Sequence, residues 1–387
     1  MNTMTTIFWL SAFAIFYAYA GYPLLIWLIA SLTAKNRRQN DTPYLPAASL
    51  LISAYNEENM IEDKIINSLS LDYPKELLEI MIVSDGSNDR TTEIVKRYEN
   101  RGVCLRHIEG RIGKTACLNR VVPLTRGDLI VFSDANSMYD KHAVKNLVTN
   151  FIDPKVGFVT GYTRYSAEPG DDTSTSIGLY SQIEKFTKKT ESKIGSCVGA
   201  DGAIFAIRKH LYTSLKDCDI NDFVIPLQVI RQGFKGVFEE NAFCTEKSAG
   251  NPRGEFQRQI RITNRTLRAL MNNIALLNPL AYGIFSFELF SHKVVKFLSP
   301  FFVILLALST IVLAGSGGAV YRVLLMAQAA LFLLALSGYS TRSFNLLSRL
   351  SSVSGTFVII NLAIMGGWFQ FIKGETYTTW SPEKRHH

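Results

Sequence analysis

The stretch Leu129-Ile130-Val131-Phe132-Ser133-Asp134-Ala135-Asn136 decides the fold class of this chain. Its apolar run predicts a strand buried on both faces, as in a parallel sheet covered by helices. Ligands of such sheets bind at the carboxyl ends of the strands, where Asp134 and Asn136 lie. Residues two apart in an extended segment point the same way, so these side chains can offer two oxygen atoms to one hard cation. Mg²⁺ or Mn²⁺ bound together with substrate phosphates fits this pair, and a turn capped by Asp and Asn is the alternative.

Strand-like and helix-like segments alternate on both sides of this stretch. Strands are predicted at residues 49–54, 79–84 and 157–160, and helices at residues 57–69, 90–100 and 143–150. This alternation predicts an α/β domain with a mostly parallel sheet and helices on both faces. We place the domain at residues 45–250.

Two further acids and a basic loop stand at positions where such a fold forms sites. Asp85 ends the strand-like run Ile82-Val83-Ser84 and precedes a glycine-containing turn. Asp222 precedes a helix-like run, so it can act as a general base or only cap the helix. The loop Gly110-Arg111-Ile112-Gly113-Lys114 can bring backbone and lysine to a phosphate, or it can be a solvated surface loop.

Four arginines at spacings of three, four and three residues follow the predicted domain. On a helix, Arg258, Arg261, Arg265 and Arg268 share one face. That face can meet a pyrophosphate, an anionic lipid surface or only solvent. We expect the first two to face the site and the last two to face lipid head groups.

The remaining apolar residues are concentrated at the two ends of the chain. Charged residues make up only 19% of the 387 residues, below the roughly 25% typical of soluble domains. Residues 1–34 carry no charge and predict a transmembrane anchor, because about 20 apolar residues cross the hydrocarbon core. Residues 297–321 and 323–341 are also uncharged, and the turn-like Gly315-Ser316-Gly317-Gly318 lies near their junction. This pattern predicts a transmembrane hairpin within residues 293–341.

Two other uncharged segments each allow two placements relative to the bilayer. Residues 350–372 predict a further helix in residues 350–373 that either spans the membrane or lies along its surface. Residues 269–287 are interrupted by asparagines and a proline, so we interpret them as an interfacial helix within an amphipathic region at 251–292, with a buried core helix as the alternative.

Basic residues beside the apolar segments predict the orientation of the chain. Lys35, Arg37 and Arg38 follow the first segment, and Lys293 and Lys296 lie near the start of the hairpin. The positive-inside rule then places the α/β domain in the cytosol and the chain in the inner (plasma) membrane. This accounts for the net charge of +8 without nucleic-acid binding, which we exclude as a function.

Other function classes receive little support. The five cysteines show no metal-like or disulfide-like spacing and are interpreted as reduced core residues. A transporter is disfavoured, because the predicted spans lack the intramembrane charges that transport sites usually carry.

Taken together in their order along the chain, these motifs resemble those of membrane-integrated family 2 glycosyltransferases, which include hyaluronan, chitin and cellulose synthases. The resemblance begins at Ser53-Ala54-Tyr55-Asn56-Glu57-Glu58 and includes the acidic residues and basic loop above, Gly199-Ala200-Asp201-Gly202-Ala203 and Asp222. It implies a GT-A-like, Rossmann-type catalytic domain with transmembrane and interfacial α-helices.

The resemblance also implies a role for each matching residue. Asp222 corresponds to the catalytic base, Asp134 and Asn136 to the metal ligands, and Gly199, Ala200, Asp201 and Gly202 to the acceptor loop. The resemblance implies a nucleotide-sugar donor of the UDP class, which is expected to contact Ala54, Tyr55, Glu57, Asp85, Gly113, Lys114, Asp134, Arg258, Arg261 and Trp380. Trp380 belongs to residues 374–387, which resemble a cytosolic segment that closes over the nucleotide.

Two departures leave the acceptor open. Asn136 replaces the last aspartate of the metal motif, and Ile262 replaces a tryptophan that stacks on the acceptor sugar in processive members. The acceptor is therefore either a growing glycan, exported with the help of a homo-oligomer or a partner, or a lipid-linked molecule that receives one sugar. A catalytically inactive, nucleotide-binding membrane regulator is the alternative outside the enzymes.

Overall fold

The strand that contains Val131 lies inside one mixed sheet. The computed structural model describes residues 2–33, 44–166, 172–247, 252–337 and 346–379. Within these residues the sheet has the order β3-β2-β1-β4-β7-β6-β8-β5. Its strands are β1 (Ala48–Ala54), β2 (Leu78–Asp85), β3 (Val103–Ile108), β4 (Leu129–Asp134), β5 (Met138–Tyr139), β6 (Val156–Ser166), β7 (Ile204–Arg208) and β8 (Lys235–Lys247).

Parallel and antiparallel pairings divide the sheet into two parts. Strands β3, β2, β1 and β4 are parallel to one another. Strand β7 is antiparallel to both β4 and β6, β8 is parallel to β6, and the short β5 is antiparallel to β8. The predicted parallel sheet is therefore present in the first half of the domain, and the second half makes the sheet mixed.

Helices cover the sheet and continue into the apolar parts of the chain. They are α1 (Thr3–Phe16), α2 (Tyr22–Thr33), α3 (Ile61–Leu69), α4 (Thr91–Lys96), α5 (Lys114–Val121), α6 (Ala143–Thr149), α7 (Asp172–Ile194), α8 (Asn221–Arg231), α9 (Pro252–Asn272), α10 (Pro279–Tyr282), α11 (Ile284–Leu289), α12 (Val295–Gly315), α13 (Ala319–Ser337) and α14 (Leu346–Ile372). Short π-helical turns, Tyr17–Gly21 and Phe290–Val294, join α1 to α2 and α11 to α12.

Alternate strand residues build two hydrophobic cores, one on each face of the sheet. Leu51 and Phe132 belong to the core on one face, and Ile52 and Val131 belong to the core on the other. Strands β1 and β4 are thus covered on both sides, which explains why their sequences are almost continuously apolar instead of alternating.

The structure corrects the prediction of one interfacial helix at residues 269–287. Helix α9 ends at Asn272, a 3₁₀ turn covers Ile274–Leu277, and α10 and α11 follow as short helices. Gly283, with φ of +56°, separates α10 from α11. The asparagine and proline interruptions therefore end helices instead of lying on the polar face of one.

Four stretches of the described residues are long and apolar enough to cross a membrane. They are Thr3–Thr33, Ile284–Gly315, Ala319–Leu336 and Val353–Ile372. The predicted anchor and hairpin fall in the first three of these stretches, and residues 350–372 fall in the helix α14.

Helix α14 packs against α9, the helix that carries the four arginines. A Cβ added to Gly367 would lie 2.5 Å from the Cβ of Thr263, and one added to Gly366 would lie 3.1 Å from the Cδ1 of Ile260. The two glycines therefore permit a close approach that larger residues would prevent. As a consequence, the segment after α14 lies close to α9, where Asn264 donates to the carbonyl oxygen of Glu375 at 3.1 Å.

Candidate functional site

The carboxyl ends of three neighbouring strands bring the predicted acids to one edge of the sheet. The parallel register pairs Ala54 of β1 with Ser84, and Ser53 with Asp134. Asp85 and Asp134 consequently lie on the two sides of the end of β1. The strands lie in this order because α/β connections return the chain to the same edge, so residues distant in sequence meet there.

Asp85 anchors the basic loop beside this edge. Its side chain is buried and accepts backbone hydrogen bonds from Ile112 at 2.8 Å and from Gly113 at 3.0 Å. Gly113 has φ of +96°, a conformation that favours glycine. Arg111 of the same loop stacks 3.9 Å above the ring of Tyr55, which follows β1. These contacts join the loop to the ends of both β1 and β2.

Asp134 ends β4 at the predicted position, and Asn136 lies in the turn that follows, so the two residues do not belong to one extended segment as expected. The Nζ of Lys114 donates to Oδ1 of Asp134, and the Asp134 side chain is 37% exposed. A cation therefore already lies against this carboxylate, and the carboxylate remains accessible from solvent. One carboxylate and one amide are a hard-oxygen donor set that fits Mg²⁺ or Mn²⁺ when substrate phosphates supply further oxygens. No group of three His, Cys, Asp or Glu side chains within the described ranges is arranged to hold a metal.

The small-residue loop 199–203 lies directly against Asp222. The backbone N–H of Ala200 donates to the carbonyl oxygen of Asp222 at 2.8 Å. A Cβ added to Gly202 would lie 2.9 Å from Oδ2 of Asp222. The side chain of Asp201 accepts from the backbone N–H of Thr163 at 2.8 Å, which fixes the loop to β6. In this loop, glycine at position 202 leaves room for the carboxylate.

Asp222 lies in the first turn of helix α8, where it is buried and close to both positive and negative side chains. Its Oδ1 is buried and has no hydrogen-bond partner among the residues that the structure describes. Burial raises the pKa of Asp222 above its ordinary value, and the positive charges of Lys114, Lys188 and Arg265 oppose this shift. A carboxylate with a free oxygen and a raised pKa can accept a proton from a neighbouring hydroxyl.

Sequence reasoning missed Lys188 of α7. Its Nζ is buried, donates to the carbonyl oxygen of Ala200 at 3.2 Å and lies 3.9 Å from Oε1 of Glu184. The lysine thus joins a helix outside the sheet to the loop beside Asp222. No motif identified it, because its contact with the loop depends on how α7 packs against the sheet, which the local sequence pattern does not show.

The predicted division of the arginine face is wrong for its last two members. Arg265 donates from Nε to the carbonyl oxygen of Cys218 at 3.0 Å and from Nη2 to the carbonyl oxygen of Asp219. Arg268 donates to the carbonyl oxygen of Glu375. Both guanidinium groups bind backbone carbonyls of the catalytic domain or the C-terminal segment, because α9 lies between these two parts of the structure.

The first two arginines have different surroundings. Arg258 pairs with Glu255 at 3.2 Å, and its side chain is 45% exposed. Arg261 is half-buried and close enough to Arg265 for its charge to act on that guanidinium. Burial lowers the pKa of Arg265, and the negative charge of Asp222 opposes the shift. The arginine face therefore extends to the vicinity of Asp222.

The C-terminal segment lies over the basic loop. A Cβ added to Gly113 would lie 2.3 Å from the carbonyl oxygen of Thr378, so the two backbones are in close contact. The residues expected to close over a nucleotide thus reach the loop expected to contact one. Trp380, the predicted donor-contacting residue of this segment, lies outside the described residues.

Comparison with known proteins agrees with this arrangement of strands and loops. Residues 49–215 match the model of the family "Glycosyl transferase family 2". These residues form a family 2 glycosyltransferase domain. The family resemblance noted in the sequence is thereby confirmed for the part of the chain that carries Asp85, Asp134 and the 199–203 loop.

Curated relatives match a similar part of the chain. A poly-β-1,6-N-acetyl-D-glucosamine synthase of Staphylococcus aureus (strain MSSA476) is 27% identical over 206 residues, which are 52% of this chain and 50% of the relative. A β-monoglucosyldiacylglycerol synthase of Trichormus variabilis is 35% identical over 119 residues, 30% of this chain and 25% of the relative. The chain therefore spans half or less of the length of these relatives.

A solved structure matches almost the whole chain. A mannosyltransferase from Pyrobaculum calidifontis, in complex with GDP-Man and Mn²⁺, has a TM-score of 0.69 and 21% sequence identity. The match covers 94% of this chain and 99% of that chain. It confirms the GT-A-like fold of the glycosyltransferase domain together with its additional helices.

Proposed function

We propose that this chain transfers a sugar from a nucleotide-sugar, of the UDP class, to a glycan hydroxyl, with inversion at the anomeric carbon. The observation that carries the proposal is the unpartnered Oδ1 of Asp222 beside the 199–203 loop. The family 2 domain at residues 49–215 supports the reaction class. The polysaccharide synthase among the relatives supports a glycan acceptor at a membrane.

In this proposal the donor lies along the edge formed by β1, β2 and β4. Ala54, Tyr55, Glu57 and Asp85 hold the nucleoside side, with Asp85 acting by ordering the loop at Gly113. Lys114, Arg258 and Arg261 neutralise charge on the diphosphate. Trp380 completes the donor contacts by closing with the C-terminal segment. The contacts of Gly113 with Asp85 and with Thr378 support this placement.

Asp134 and Asn136 are proposed to hold a divalent cation, Mg²⁺ or Mn²⁺. Their carboxylate and amide oxygens, and the exposure of the Asp134 side chain to solvent, support this assignment. When bound, such a cation supplies Lewis-acid stabilisation of the diphosphate oxygens. Because Asn136 contributes no charge, Asp134 provides the formal negative charge of the pair.

Asp222 is proposed to remove the proton from the acceptor hydroxyl as its oxygen attacks the anomeric carbon. The new bond joins that oxygen to the sugar, and the bond from the sugar to the diphosphate breaks with its electron pair remaining on the nucleotide. Gly199, Ala200, Asp201 and Gly202 leave room for the acceptor beside the base. Lys188 supports this loop by donating a hydrogen bond to the carbonyl oxygen of Ala200.

The catalytic domain, residues 45–250, is proposed to lie in the cytosol at the inner (plasma) membrane. The N-terminal anchor, the hairpin and residues 350–373 would hold it there. The four apolar stretches support membrane association, and the basic residues beside them support the orientation. A narrow bundle favours export of a long product through a homo-oligomer or a partner.

Asp222→Asn tests the catalytic assignment, because asparagine has the same shape but cannot take the proton. The expected loss in turnover is about 10²–10⁴-fold, with nucleotide affinity unchanged, in a radiolabelled transfer assay with purified protein. Asp217→Asn is the matched control, since Asp217 is an exposed residue of the same loop. Near-normal turnover of Asp222→Asn would refute the assignment. Product length in the same assay separates glycan elongation from transfer of a single sugar to a lipid-linked acceptor.

A further inference from the structure

The loop that leads into helix α8 is held in place by α5. Thr115, in the first turn of α5, is buried and donates from its hydroxyl to the carbonyl oxygen of Asp219 at 2.9 Å. Asn119, one turn later, donates to the carbonyl oxygen of Leu215 at 2.7 Å and accepts from the backbone N–H of the same residue at 2.9 Å. Because Asp222 follows shortly after Asp219 in the chain, these contacts help to determine where the proposed base lies.

Arg265 of α9 holds the same loop from a second helix. Its Nε donates to the carbonyl oxygen of Cys218 at 3.0 Å. Its Nη2 donates to the carbonyl oxygen of Asp219 and, at 3.2 Å, to Oγ1 of Thr115. Hydrogen bonds from a charged donor are roughly twice as strong as those between neutral groups. The guanidinium therefore ties α9, α5 and the loop before Asp222 together.

The charge of Arg265 also acts on Asp222. Burial raises the pKa of Asp222 above its ordinary value, Arg265 is one of three positive groups that oppose this shift, and Asp201 of the 199–203 loop adds to it. The other two positive groups are Lys114 at the start of α5 and Lys188 of α7. In turn, burial lowers the pKa of Arg265, and the charge of Asp222 raises it. Each of the two groups therefore stabilises the charged form of the other.

We propose that Arg265 is a positioning residue for Asp222: it fixes the loop that leads into α8 and, by its charge, favours the carboxylate that takes the proton. The inference rests on the proposed role of Asp222 as the general base. Direct binding of the donor diphosphate is the other role to consider for this arginine. The hydrogen bonds argue against it, because a guanidinium that turned towards a diphosphate would give up its bonds to the carbonyl oxygens of Cys218 and Asp219.

Infrared difference spectroscopy of the full chain in detergent tests the inference without any substrate. The signal is the stretching band of the protonated carboxyl group of Asp222, identified by its loss in Asp222→Asn and followed as the pH is raised. Arg265→Met removes the charge, so the band is expected to persist to higher pH than in the unaltered chain. Arg265→Lys keeps the charge, and its band is expected to titrate close to that of the unaltered chain. A band that titrates at the same pH in Arg265→Met and in the unaltered chain would overturn the inference.

Initial rates of sugar transfer separate positioning of the base from binding of the donor. In Arg265→Met, kcat is expected to fall by about 10- to 100-fold, as for a misplaced catalytic group, while the KM for the nucleotide-sugar stays constant. Arg265→Lys is expected to recover only part of this loss, since lysine carries the charge but lacks the planar group that bonds two carbonyl oxygens at once. A raised KM with an unchanged kcat would assign Arg265 to the donor and overturn the inference.

Arg231→Met is the matched control. Arg231 is an exposed residue at the end of α8, nine residues beyond Asp222 and thus about 13 Å further along the helix. At that distance salt largely screens its charge. The control is expected to leave both the band of Asp222 and kcat unchanged, and changes as large as those of Arg265→Met would contradict a specific role of Arg265.

The role of Arg265 and the role of the base fail in different ways. Near-normal turnover of Asp222→Asn contradicts the base itself, whereas an inactive Asp222→Asn together with an unchanged kcat in folded Arg265→Met contradicts only the role of Arg265. If Arg265→Met does not fold, Thr115→Val replaces it, because this change removes one hydrogen bond to the loop without altering charge. Its kcat is expected to fall several-fold, with the band of Asp222 unmoved. Unchanged kcat in both Thr115→Val and Arg265→Lys would then overturn the inference.

Discussion

Replacement of Gly202 by alanine perturbs the proposed base without touching any charge. The added Cβ would lie 2.9 Å from Oδ2 and 3.3 Å from Cγ of Asp222, whereas ordinary van der Waals contacts begin at 3.4 Å. The carboxylate must therefore move by about 0.5 Å or more, or the loop must move away from it. The backbone of Gly202 has no positive φ, so alanine introduces no conformational strain at this position.

The displacement of the Asp222 carboxylate determines the expected loss in kcat. Misplacement of a catalytic group by about 1 Å costs on the order of 100-fold in rate, so a shift of half that size is expected to lower kcat by about tenfold to 100-fold. This corresponds to roughly 1.4–2.7 kcal/mol of transition-state stabilisation. The KM for the nucleotide-sugar is expected to stay constant, because the proposed donor contacts at the ends of β1, β2 and β4 do not include Gly202.

The assay measures initial rates of transfer over a range of donor concentrations, with thermal unfolding as the check on folding. Gly315→Ala is the control, since a Cβ at Gly315 meets nothing within 4 Å. The same change made in an Asp222→Asn protein should cause little further loss, because the group that it displaces is already inactive. A folded Gly202→Ala enzyme with unchanged kcat, or a full additional loss in the Asp222→Asn background, would refute the reasoning.

Three further results are expected from the same site. Because burial raises the pKa of Asp222 and the base acts as the carboxylate, kcat should rise with pH through a pKa above the ordinary 3.8, and this limb should be absent from the residual activity of Asp222→Asn. Treatment with EDTA should stop transfer and Mg²⁺ or Mn²⁺ should restore it; activity that survives chelation would exclude a metal at Asp134 and Asn136. In Gly113→Ala, the positive φ and the 2.3 Å approach of the new Cβ to the carbonyl oxygen of Thr378 should strain the loop by about 1–3 kcal/mol and raise the donor KM, with an unchanged KM contradicting the donor role.

The ends of β1, β2 and β4 show how much of the candidate site local sequence patterns can predict. The apolar run before Asp134 predicted a doubly covered strand, and register pairing with Ser53 then placed the acid at the edge of the sheet beside Asp85. The strand and the position of Asp134 at its carboxyl end were both predictable, because they depend on rules that act over a few residues. These rules are the burial of an apolar segment and ligand binding at strand ends. The mixed second half of the sheet was not predictable in this way, because strand direction depends on long connections.

Helix α9, which carries the four arginines, shows what such local patterns cannot predict. The spacing of its arginines correctly placed them on one helix, but spacing does not state what packs against that helix. Gly366 and Gly367 bring α14 against α9, so Arg268 reaches the backbone at Glu375 and Arg265 reaches the loop before Asp222. The prediction of lipid-facing arginines failed because both partners are backbone carbonyls, which no sequence pattern marks.

The sequence by itself determined the class of the domain, the apolar stretches and the identity of the acids at the strand ends. Each of these follows from the polarity of neighbouring residues. Only the tertiary structure decided that Gly202 lies against Asp222 and that Lys188 supports the same loop. These contacts join residues of different helices and loops. The strength of each contact depends on burial and on distances of a few ångströms, which arise only when these elements pack together.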